Sequence, residues 1–87
     1  MVTGKVVGNI VSTQKHPKLA GYKLLLVELA REDETESPKI IVAVDTLGAG
    51  RGETVLLSTG SSARTALGEA GAPVDAVIIG IVDKIER

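Results

Sequence analysis

The sequence predicts a mainly β fold, a small five-stranded barrel carrying one short helix. Three observations point there. Five apolar runs rich in β-branched residues are each bounded by turn signals, and their lengths suit strands. The chain has 87 residues, room for one domain over 1–87 and little more. Its hydrophobic fraction is 44% while aromatics make up 1%, with Tyr22 the sole one, so Val, Ile, Leu and Ala must build the core.

The first run is "VTGKVVGNIVST" (2–13), followed by the loop "QKHPKLAG" (14–21), where Pro17 forbids a regular central strand. The second run, "YKLLLVELA" (22–30), is joined to the third, "KIIVAVDT" (39–46), by "REDETESP", a solvated hairpin loop. The fourth run is "ETVLLST" (53–59) and the fifth "DAVIIGIVDKIE" (75–86). In "GSSARTALG" (60–68), Ser61 or Ser62 is placed to cap a helix. Ala63, Ala66 and Leu67 then share one face, and Gly68 supplies a left-handed stop. Such a helix is about two turns long, and "GEAGAP" (68–73) follows as a connector. The whole is similar to the oligonucleotide-binding type of barrel, except that the helix falls between strands four and five rather than three and four.

The strands carry apolar residues on both faces. In the last run Val77, Ile79 and Ile81 alternate with Ala76, Ile78 and Val82, and in the second Leu24 and Leu26 oppose Leu25, Val27 and Leu29. A lone small barrel buries alternate residues and wets the others. The second face therefore calls for a partner, most economically another copy of the chain. Small domains often need disulfides, metals or oligomerisation. Without cysteine and with His16 as the one histidine, oligomerisation is the stabiliser left.

Charge and hydropathy narrow the function classes. A net charge of −1 with interspersed signs gives no basic footprint for nucleic acid. Base stacking also needs aromatic platforms, and Tyr22 is alone. No apolar run approaches the roughly 20 residues that span a bilayer. The N-terminus does not read as a signal peptide, so a soluble intracellular protein is expected.

The motif that invites an enzymatic reading is "VDTLGAGRGETV" (44–55). A phosphate cradle needs a strand, then glycines, then a helix whose amides face the anion. Here Gly48, Gly50 and Gly52 lead into a strand, and no lysine plus hydroxyl follows. The glycines instead suit a tight connection or a close approach of another backbone. Asp45 and Asp75 are expected to fix loops by bonds to backbone amides. Ser61 and Ser62 lack the nucleophile elbow, His16 reads as a surface loop residue, and Arg51 and Arg64 as salt-bridging or solvated. No catalytic, cofactor-binding or metal-ligating set emerges.

The residues resemble the EutN/CcmL family of microcompartment vertex proteins nearly end to end. The resemblance rests on "GKVVGNIVSTQKHPKLAGYKLLLVE", "VAVDTLGAGRGETVLLSTGSSAR" and "PVDAVIIGIVD" in that order. It implies a barrel assembled head to tail as a cyclic homopentamer in a shell in the bacterial cytoplasm, with hexameric shell proteins as neighbours and no catalysis. It further implies that Asp45, Thr46, Gly48, Ala49, Gly50 and Gly52 pack at a subunit boundary, and that Gly60, Ser61 and Ser62 approach a central pore. The competing reading is a stand-alone barrel that binds a small ligand or single-stranded nucleic acid.

Overall fold

The computed structural model describes residues 1–12, 16–68 and 74–86. Its strands are β1 (Val2–Ile10), β2 (Lys23–Leu29), β3 (Ile40–Asp45), β4 (Thr54–Thr59) and β5 (Ala76–Val82). One α-helix, α1 (Ser61–Leu67), stands between β4 and β5, where the sequence placed it. The strands close a barrel in the order β1-β2-β3-β5-β4. All neighbours are antiparallel except β3 and β5, whose parallel seam pairs Val44 with Val77 and Asp45 with Ile78. The strands are shorter than the apolar runs, and Thr13 and the connector residues 69–73 lie outside the described residues. Pro17 opens a single 3-10 turn, Pro17–Leu19, and the exposed His16 accepts the Lys18 N–H on Nδ1 at 3.1 Å.

Val6, Leu25, Val27, Val55, Leu57 and Ile78 fill the barrel interior. Aliphatic side chains alone suffice because the bore is narrow. β1 and β2 pack closely at Gly4, where a Cβ would fall 2.5 Å from Val27 Cγ1 and 2.8 Å from the Glu28 carbonyl oxygen.

Two bulges reset the alternation that the sequence suggests. In β1, Val6 faces Val27 but Gly8 faces Leu26, so Val7 is the extra residue. In β5, Ile78 faces Leu57 but Gly80 faces Leu56, so Ile79 is extra. An extra residue inverts the parity of everything beyond it. Ile81 consequently packs against the interior, while Ile79 is left outside and 37% exposed. The expected grouping of Val77, Ile79 and Ile81 on one face is therefore corrected.

A second correction concerns the outer wall. The chain covers part of it without help: Val44 and Val77 are buried beneath Ala63 of α1 and Val74, with Leu19, Tyr22, Leu24 and Leu67 packed around them. The short helix thus roofs a second, smaller cluster over the parallel seam. Ala66, expected on the same face as Ala63, is exposed.

The cap of α1 also differs from expectation. Gly60, with φ of 67°, is the N-cap, and no side chain bonds to the first turn. Ser61 is already helical, so its hydroxyl sits one residue too late to act as a cap. The stop is as expected, since Gly68 has φ of 80° and donates to the Arg64 and Thr65 carbonyls at 3.1 Å.

Candidate functional site

The glycine loop runs from the end of β3 to the start of β4, and Asp45 organises it. The carboxylate is 3% exposed and collects three backbone amides. Its Oδ1 accepts from Leu47 at 3.0 Å, and its Oδ2 from Gly48 at 3.2 Å and Ala49 at 2.9 Å. A carboxylate at the end of a strand can do this because its two oxygens reach back over the turn it begins. The expected role of Asp45 as loop fixer is what the structure has.

The turn pushes Ala49 inward, where it is 1% exposed and belongs to the interior cluster. Gly48 and Gly52, with φ of 85° and 90°, supply the left-handed corners that L side chains avoid. Gly52 N–H donates to the Val6 carbonyl at 2.8 Å, and Val6 N–H to the Glu53 carbonyl at 3.0 Å, so the loop is laced to β1. Glu53 Oε1 accepts the Gly50 N–H at 2.6 Å, a bond that no motif in the sequence signals. Thr46, Leu47, Arg51 and Gly52 face outward, with Leu47 50% exposed. Every loop amide named here is occupied within the chain, so the loop offers no ready cradle for a phosphate.

Gly60, Ser61 and Ser62 are all exposed. They follow the last residue of β4, whereas the glycine loop leads into its first. A strand of six residues spans about 20 Å. The structure therefore keeps the two predicted regions apart, one at each end of β4. The Gly60 corner is tied down by its N–H donating to the Asp75 carbonyl at 2.8 Å and by Arg64 Nη1 donating to the Val74 carbonyl at 3.0 Å. Asp75 thus holds a loop through its main chain while its residue is exposed, not through the carboxylate that the sequence suggested. Arg64 likewise serves a carbonyl rather than an anion.

Among the described residues, no group of three His, Asp or Glu side chains is placed to hold a metal ion. No described helix is long and apolar enough to cross a membrane. What stands out is apolar surface on the barrel wall: Ile40 is 54%, Val42 44% and Ile79 37% exposed.

Comparison with known proteins gives this surface a context. The model of the family described as "Ethanolamine utilisation protein EutN/carboxysome" matches residues 1–83. The chain is 46% identical over 86 residues to the bacterial microcompartment shell vertex protein GrpN of Rhodospirillum rubrum (strain F11), covering 99% of this chain and 97% of that one. It is 47% identical over 85 residues to the carboxysome shell vertex protein CcmL of Gloeobacter violaceus, covering 98% and 85% of the two chains. The solved GrpN pentameric microcompartment shell protein from Rhodospirillum rubrum superposes with a TM-score of 0.84 at 45% identity, over 100% of this chain and 99% of that one. A shared sequence, a shared barrel and full-length coverage leave one assignment: the chain belongs to the EutN/CcmL family of microcompartment shell vertex proteins.

Proposed function

We propose that the protein is a structural corner piece, a homopentamer that closes the vertices of a microcompartment shell and carries out no catalysis. The observation that carries this reading is the apolar outer wall of a chain whose relative GrpN is a pentameric shell protein. A flat sheet of hexagonal tiles cannot close on itself, and pentagonal units inserted at the corners supply the missing curvature. Hexameric shell proteins are the neighbours that the rim of such a ring would meet.

Within the ring, the segment Asp45, Thr46, Gly48, Ala49, Gly50 and Gly52 lies at or beside a subunit boundary. Its support is a rigid loop, fixed from within by Asp45 and Glu53, that turns Thr46 and Leu47 outward. Gly60, Ser61 and Ser62 line the central opening, a reading supported by their exposure and small size. Co-expression with hexameric shell proteins tests the function. Electron microscopy should show closed polyhedral shells with this chain and open sheets or tubes without it. Equal closure in both would refute the corner role.

A further inference from the structure

β3 is paired along its whole length on one side and scarcely at all on the other. Leu29 N–H donates to the Lys39 carbonyl at 2.9 Å, which sets the alternation. Residues 39, 41, 43 and 45 turn their backbone groups towards β2, and Ile40, Val42 and Val44 turn theirs away. On that far side β5 meets only Val44 and Asp45. Ile40 and Val42 therefore present both a free strand edge and exposed side chains. An apolar free edge is a template for association unless something covers it. Val42 lies opposite Leu26 of β2, which lies opposite Gly8 of β1, so the wall here is apolar across the strands. A groove of about 140 Å³, lined by Leu19, Leu24, Val42 and Val74 among others, runs alongside.

A second, unlike patch lies elsewhere on the barrel. The β5 bulge throws Ile79 outward, and Leu56 of β4, half-buried, faces Gly80. Gly80 has no positive φ, and a Cβ there would meet only Leu56 Cβ, at an ordinary 3.7 Å. The chain itself does not demand glycine at this point, whereas a close neighbour would.

We propose that these patches are the two halves of one ring contact: Leu56 and Ile79 of one copy seat against Leu26 and Val42 of the next. The inference rests on the ring reading above and gives the ring its direction. A cyclic assembly repeats a single heterologous contact, so each copy needs two different patches facing different ways. The barrel order puts the two patches on different strand pairs, β2–β3 and β5–β4, which flank the β3–β5 seam where Ala63 and Val74 cover Val44 and Val77. A twofold dimer would instead need one self-complementary patch.

The chain has no cysteine, which makes cross-linking clean. Val42→Cys and Ile79→Cys are made separately and together, treated with a short bis-maleimide, and run on denaturing gels, with native mass confirming assembly. Neither single variant alone should cross-link. The two mixed after subunit exchange should give covalent dimers, and the double variant a ladder ending at five chains, the ring size of the GrpN relative. Dimers from Val42→Cys alone would mean that this face meets itself, and would overturn the proposal. So would an uncross-linked double variant whose native mass is still that of a ring, an outcome that leaves the ring reading standing. A single-chain mass for the unsubstituted protein would instead defeat the ring reading, and this inference with it. Ile79→Glu is a second check: it should give folded single chains by circular dichroism and mass, and intact rings would contradict the proposed contact.

Discussion

Asp45 Oδ2 accepts the backbone N–H of Ala49 at 2.9 Å, and this bond places the Ala49 methyl inside the barrel. One buried carboxylate thereby converts a glycine-rich connection into a rigid part of the wall. Asp45→Ala would leave the Leu47, Gly48 and Ala49 amides without their acceptor. The expected loss of stability is on the order of 3 kcal/mol, read by urea denaturation at fixed protein concentration. Asp45→Asn, which keeps one acceptor oxygen, should lose less. A change for Asp45→Ala within about 0.5 kcal/mol of the unsubstituted protein would remove the loop-fixing role.

Gly4 is held by crowding rather than by backbone conformation. Gly4→Ala should destabilise the chain by about 1–3 kcal/mol, because the new methyl meets Val27 and the Glu28 main chain. Adding Val27→Ala should recover only part of that, since the Glu28 carbonyl oxygen at 2.8 Å cannot be trimmed away. Full recovery in thermal melts would show that only the side chain matters.

Gly50 is the loop glycine at which the proposed subunit boundary can be tested without a left-handed backbone being strained. Its φ is not positive, and a Cβ there would meet only Glu53 Oε1, at 3.3 Å, the movable end of a side chain. Gly50→Val should therefore leave a folded chain by circular dichroism yet abolish rings by native mass. A normal ring mass would count against the boundary role of this loop. Gly48→Val is the contrasting case: its φ of 85° makes it strained whatever the neighbours.

The acidic hairpin loop contains a carboxyl, that of Asp33, whose titration its own turn lowers. The backbone hydrogen bond from Thr35, at 3.0 Å on Asp33 Oδ1, and the Thr35 side chain hold the Asp33 carboxyl below its ordinary 3.8. A lowered folded value means that the loop turn is favoured while Asp33 is ionised, and that this is lost as pH falls through that lowered value. Asp33 is fully exposed, so the effect should stay local. Carboxyl chemical shifts followed by NMR should give a midpoint for Asp33 below 3.8, and Asp33→Asn should leave the acid unfolding midpoint of the barrel unchanged. A midpoint at or above 3.8 would show that the Thr35 bonds do not form in solution.

Much of this was legible in the residues. The five strand segments, the helix after β4, the Gly68 stop and the Asp45 loop anchor all follow from local chemistry acting over a few residues. The bulges at Val7 and Ile79 were not legible, because an extra residue in one strand is defined only against its partner strand. Ile81 was placed on the wrong face for that reason alone. The N-cap was missed because Gly60 wins by adopting φ of 67°, a conformational preference that competes with the serine hydroxyls beside it. The roof of α1 over Val44 and Val77 was not legible, because the sequence of a two-turn helix does not show which strands it packs over.

The proposed ring depends above all on the exposed wall at Ile40, Val42 and Ile79. Native mass spectrometry of the purified chain at micromolar concentration tests that most directly. A closed ring of five chains, as in the pentameric GrpN relative, is the predicted mass. A stable, soluble single chain at that concentration would contradict it.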